Sequence, residues 1–135
     1  MTKLTPETEA KLWSAAEVAA AEAYAPYSDF HVGAALLTSN GDIVTGCNVE
    51  NALYGLTNCA ERTAVFRAVV EGKLSKGISI EAIAVVNRDQ KSCSPCGACR
   101  QVLSEFGLSA IVLFDHDGER RQMKVSELLP ESFLL

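Results

Sequence analysis

Apolar and polar positions in this chain follow two periods in turn. Phe30 to Ser39 is an apolar run of strand length that stops at the dipeptide Asn40-Gly41, a strong hairpin signal, and Asp42 to Val49 continues as a second strand. Two further apolar runs, Ile78 to Asn87 and Ala110 to His116, read as buried strands. Between the hairpin and these runs the period lengthens. Ala60, Ala64, Val65, Ala68 and Val69 recur at helical spacing within Asn58 to Glu71, and Gly72 supplies a stop.

The remaining elements follow from end signals. Thr5-Pro6 with Glu7 and Glu9 behind it reads as an N-cap, a proline at the first helical position and acids in the first turn. These open an alanine-rich helix that runs to about Ala25, where "PYSDF" breaks it. A helix from Gly97 to Phe106 ends at Gly107. Asp117-Gly118 marks a turn, and a short strand near Arg121 to Val125 precedes a helical turn at "SELLP". The order α-β-β-α-β-α-β-β-α predicts an α/β fold, a mixed sheet covered by helices, with each strand-helix-strand crossover making a parallel neighbour. No linker, repeat or low-complexity stretch divides it, so residues 1–135 are expected to form one domain.

Composition narrows the function. A net charge of -5 disfavours a protein that lives on nucleic-acid phosphates, and a small or neutral partner fits better. No signal-peptide pattern opens the chain and no apolar run exceeds strand length, so a soluble, cytoplasmic protein is expected. Five cysteines is an odd count for a disulfide framework. Four fall between Cys59 and Cys99, which favours thiolate chemistry.

Cys96 and Cys99 stand three apart, so one helical turn brings both sulfurs within reach of one ion, and Cys59 at the other helix start offers a third. Thiolates suit zinc, and helix N-termini stabilise their charge. Three protein ligands plus a water is the catalytic pattern; a structural site closes with four. Zinc lowers the pKa of bound water from about 15.7 to about 7, but three thiolates weaken that effect. Arg62 and Arg100 are placed to offset the thiolate charge, Arg62 first. Glu61 is two residues from Cys59, and such residues point roughly 200° apart on a helix. Both can serve one site only if Cys59 lies at the very start of the helix, outside ideal geometry. Glu61 would then move protons near the metal without binding it.

The pair "CAE" and "PCGAC" matches the zinc deaminase signature, with cysteine as the first ligand. With "YAPYSDFHVGAAL", "GCNVENALYG", "NCAERTAVF", "SPCGACRQVL" and "SELLPESF", the chain resembles the small cysteine-ligated cytidine deaminases of the cytidine and deoxycytidylate deaminase superfamily. The resemblance implies a three-layer α/β/α sandwich with a mixed five-stranded sheet. It implies one Zn2+ per subunit on Cys59, Cys96 and Cys99, a zinc-activated water, and Glu61 as proton shuttle. Asn48 and Glu50 would bind ribose, Phe30 would lie against the base, and backbone groups at Ala60 and Ser94 would hold the base edge. It implies a homotetramer in which Phe133 closes a neighbouring subunit's site. The expected activity is hydrolysis of cytidine and 2′-deoxycytidine to uridine and 2′-deoxyuridine with loss of ammonia, in pyrimidine salvage.

Taken alone, several of these residues have plainer uses. Asn48 and Glu50 alternate on an extended segment and could be a solvated strand end, Phe30 a core ring, and Phe133 a tail packed on its own core. His31 and His116 are expected not to be ligands, Cys47 to be a small buried strand residue, and Cys93 lies outside the Cys-x-x-Cys frame. Three alternatives stand beside cytidine deamination. They are a deaminase of a nucleoside antibiotic such as blasticidin S, a structural-zinc binding module, and a Cys96/Cys99 redox pair.

Overall fold

A computed structural model describes residues 4–135. One five-stranded sheet, in the order β2-β1-β3-β4-β5, forms its centre. Its strands are β1 (Val32–Thr38), β2 (Ile43–Cys47), β3 (Ile80–Asn87), β4 (Ile111–His116) and β5 (Glu119–Lys124). The helices are α1 (Pro6–Ala21), α2 (Ala60–Val70), α3 (Gly97–Phe106) and the short α4 (Val125–Leu128). The expected α/β/α sandwich with a mixed sheet is present, since β3 and β4 pair in parallel and the other neighbours antiparallel.

The apolar runs are explained by the layering. On β1, Ala35 and Leu37 face Leu12, Trp13, Ala16 and Ala20 of α1, while Ala34 and Leu36 face Ala60, Ala64, Val65 and Ala68 of α2. On β3, Ala82, Ala84 and Val86 join the first core and Ile83 and Val85 the second. A strand covered on both faces has no polar side to show, so it reads as continuous hydrophobicity. β5 (ERRQMK) is almost wholly exposed, and its charges suit an edge strand that must not pair further.

Two glycines set how closely the helices sit. A Cβ on Gly33 would lie 2.0 Å from the Ala16 carbonyl oxygen of α1. One on Gly46 would lie 2.3 Å from the Ala64 nitrogen and 2.6 Å from the Ala60 oxygen of α2. Both helix backbones therefore rest directly on the sheet.

Three expectations are corrected. The first helix stops at Ala21 rather than Ala25, because Tyr24 leaves it to bridge Val49; the Tyr24 nitrogen donates to the Asn48 oxygen (3.0 Å) and the Glu50 nitrogen to the Tyr24 oxygen (2.8 Å). The crossover through α2 does not give a parallel neighbour, because β1 lies between β2 and β3. Only the α3 crossover does. The last strand starts earlier, at Glu119, because Asp117 and Gly118 (φ 51° and 80°) make a two-residue turn that pairs His116 with Glu119. A 3-10 turn at Tyr54–Leu56 had no clear signal in the sequence. Asn40-Gly41 does sit in the first hairpin, with Gly41 at φ 89°.

Candidate active site

The site forms where α2 and α3 begin, beyond the C-terminal ends of β2 and β3. Cys59 is the N-cap of α2, with extended backbone (φ -75°, ψ 157°), and Cys96 is the N-cap of α3 (φ -69°, ψ 168°). This meets the condition set by the Cys59–Glu61 spacing. Cys59 lies outside the helix while Glu61 lies in its first turn, so both turn to one place.

The sulfurs of Cys59, Cys96 and Cys99 all lie within 4.8 Å of one another, and no other Cys, His, Asp or Glu joins them among the described residues. Zn–S bonds of about 2.3 Å in tetrahedral geometry put sulfurs about 3.8 Å apart. Cys59 Sγ and Cys96 Sγ are 3.8 Å apart. The donor set and its spacing therefore fit zinc. Two helix N-termini face the cluster, and Arg62 Nη2 donates to Cys59 Sγ at 3.2 Å. Arg62 Nε is buried without another partner, and contact with the cysteines raises the arginine pKa still further. Hydrogen bonds from Cys99 and then Arg62 hold Cys59 down at about 5 against the opposing effect of burial. Cys99 is held up by that same bond to Cys59 and by burial.

Arg100 is used differently from the expectation. Its Nε donates to the Pro95 oxygen (2.7 Å) and its Nη1 to the Leu128 oxygen (2.9 Å), so it fastens the Cys96 loop to α4 and offsets no thiolate. Glu61 is 4% exposed, and burial pushes its carboxyl up to about 7. A carboxyl poised near neutrality can both take and give a proton, which suits an acid-base catalyst.

A cavity of about 190 Å³ opens over these groups. Phe30, Asn48, Cys59, Ala60, Glu61, Ser94 and Cys96 line it, which gathers most of the residues singled out in the sequence. Asn48 is no solvated strand end. It is buried, its Oδ1 accepts from the Val32 nitrogen and its Nδ2 donates to the Phe30 oxygen, both at 2.8 Å, so it braces the segment that presents Phe30.

Glu50 lines a neighbouring cavity of about 380 Å³ with Tyr27, Ser28, Asn51 and Tyr54, and Thr57 is shared by both spaces. The Ser28 hydroxyl and the Tyr27 and Ser28 nitrogens hold its carboxylate, which lowers its pKa, the hydroxyl first. Phe133 is 71% exposed and lies outside both cavities, so it is not packed on its own core. His31 pairs with Asp29 and His116 with Asp117, and neither joins the sulfur cluster. Cys47 is half-buried and donates weakly to the Glu22 oxygen.

Sequence reasoning missed four contributors: Gly46, Val32, Thr57 and Cys93. Glycine inside a strand pattern was the available signal for Gly46. Nothing local marks Thr57 or Val32 as lining, because that depends on which way the loops fold over the sheet. Cys93 is buried, and burial raises its thiol to about 12, so it behaves as a small apolar residue.

An α/β/α sheet with three convergent cysteine sulfurs and a buried, near-neutral carboxyl defines a zinc-binding deaminase. The family model for the "Cytidine and deoxycytidylate deaminase zinc-binding region" matches residues 6–115. The chain is 47% identical over 125 residues to a cytidine deaminase of Sporosarcina psychrophila, covering 91% of this chain and 89% of that one. The crystal structure of cytidine deaminase from Burkholderia pseudomallei superposes with a TM-score of 0.84 at 48% identity, over 93% of this chain and 99% of the other. A blasticidin-S deaminase of Bacillus cereus is more distant, 32% identical over 105 residues and 74% of each chain. This chain belongs to the cytidine and deoxycytidylate deaminase family.

Proposed function

We propose that the chain, acting as one domain, hydrolyses cytidine and 2′-deoxycytidine to uridine and 2′-deoxyuridine, releasing ammonia, in pyrimidine salvage. The observation that carries this reading is the buried Glu61, poised near 7, in the lining of a cavity that also exposes Cys59 and Cys96 of the sulfur cluster. Zinc, when bound by Cys59, Cys96 and Cys99, supplies the Lewis acidity that activates water. Glu61 would take a proton from the attacking water and give it to N3 of the base, and would carry a second proton to the leaving amine. One C4–O bond forms and the C4–N4 bond breaks. Phe30 lies against the ring, and backbone groups at Ala60 and Ser94 hold its edge. Arg62 balances the thiolate charge.

The ribose extends past Asn48 and Thr57 toward Glu50. No Lys or Arg is among the residues lining either cavity, and Glu50 is anionic. A 5′-phosphate would find no cation there, which favours the nucleoside over deoxycytidylate. Exposed Tyr54, Leu53, Leu56 and Val70 supply apolar surface for association, which supports a homotetramer with Phe133 of one copy closing a neighbour's site. No helix among the described residues is long and apolar enough to cross a membrane, which agrees with action in the cytoplasm.

The test is turnover of cytidine, deoxycytidine, deoxycytidylate and blasticidin S by zinc-loaded protein. Cytidine and deoxycytidine are expected to react and the other two to lag far behind; unchanged cytidine would overturn the proposal. Glu61→Gln should keep its zinc and lose about 10²- to 10⁴-fold in kcat. Surviving turnover would remove Glu61 from the proton path. Phe133→Ala should mainly raise KM, and the native mass by light scattering should be four times that of the chain.

A further inference from the structure

Three cysteines line the smaller cavity, and only two of them, Cys59 and Cys96, belong to the sulfur cluster. The third, Cys93, is 8% exposed and shares a core with Val32 and Phe114, against which Phe30 packs. Its backbone nitrogen donates to the Asp115 oxygen at 2.9 Å, just past Phe114 on β4, so this part of the wall is pinned to the sheet. Glu61, Cys59 and Cys96 line the same cavity, and Cys93 stands three residues before Cys96, which places it toward the reacting end. Thr57, shared with the second cavity, marks the other end.

At the reacting carbon C4, the two ring neighbours need different surroundings. N3 requires a polar partner, and Glu61 provides it. C5 carries only hydrogen and requires an apolar wall of the right depth. We propose that Cys93 is the specificity-determining residue for the C5 edge of the base, its small side chain setting how large a 5-substituent the site admits. This rests on the reading of the site as one for a cytosine nucleoside. A larger residue at this position shortens the cavity, and a smaller one deepens it.

The experiment compares kcat/KM for 5-methylcytidine and cytidine in wild type, Cys93→Ala and Cys93→Val, with zinc content and Tm measured for each. The ratio of the two substrates should rise about tenfold in Cys93→Ala and fall about tenfold in Cys93→Val, the usual effect of one methyl-sized change in an apolar pocket. Because the ratio is internal to each variant, partial loss of zinc does not move it, and either variant alone decides the question. A ratio unchanged within twofold while cytidine still reacts would overturn the role of Cys93. Failure of both variants to hold zinc would overturn it too, by showing that Cys93 serves folding instead. Failure of wild type to deaminate cytidine would overturn the assigned function instead.

Discussion

The two halves of the sulfur site look alike in sequence and are built differently. Each begins with a cysteine N-cap and carries an arginine within the next four residues. On α2, Arg62 turns inward to Cys59 Sγ, and the helix backbone rests on Gly46 with no room for a Cβ. On α3, Arg100 turns to the Pro95 and Leu128 carbonyls, and a Cβ on Gly97 at the helix start would meet nothing within 4 Å. The α2 half holds Arg62 against Cys59 and keeps Glu61 buried beside them. The α3 half is a more open arm, fastened from outside to α4. A shared motif fixes where a ligand sits in the chain; the packing behind it fixes what the neighbouring arginine does.

The largest test of this contrast pairs the two glycines. Gly46→Ala should cost at least about 3 kcal/mol, because the new carbon meets helix backbone that cannot give way. Gly97→Ala should stay within about 1 kcal/mol of wild type. Thermal or urea unfolding of both zinc-loaded variants measures this, and equal losses would break the distinction.

Next come the two arginines. Arg62→Met should weaken zinc binding about 10- to 100-fold, as loss of a group that orients a ligand usually does. Arg100→Met should leave zinc affinity nearly unchanged and cost about 1–2 kcal/mol of stability through unpaired carbonyls. Competition with a chelating dye, run beside urea unfolding, separates the two outcomes.

The last test concerns Glu61 in zinc-stripped protein. Its carboxyl is raised to about 7 from an ordinary 4.5, so between these values the folded chain binds more protons than the unfolded one. Stability from this group is therefore full below about 4.5 and is lost as pH rises toward 7. Cys59, held down at about 5, acts in the opposite direction, gaining stability as pH rises above its folded value. Comparing wild type with Glu61→Gln isolates the first contribution. The variant should gain roughly 1–3 kcal/mol relative to wild type from pH 5 to pH 7.5, and a constant difference across that range would refute it.

Much of this was legible in one dimension because it is local. Thr5 accepts from the Thr8 nitrogen, as the cap reading required, and α3 spans Gly97–Phe106 as its end signals indicated. The demand that Cys59 precede its helix came from the spacing to Glu61 alone and holds. What escaped were pairings between distant segments. Tyr24 leaves the first helix for Val49, and Asn48 turns its amide to the backbone of Phe30 and Val32. Each involves a partner whose proximity no local pattern announces.

Legible in one dimension were the order of the helices and strands, the buried character of the central strand, the three cysteines that cluster and the carboxyl beside them. These depend on periodicity, end signals and spacing within a few residues. Only the tertiary structure decided that β1 would lie between β2 and β3, that Arg62 rather than Arg100 would meet the thiolates, and that Glu50 would face a second cavity. It alone placed Cys93 in the wall of the first. Those choices follow from how closely whole elements pack, and close packing is a property of surfaces that meet only after the chain has folded.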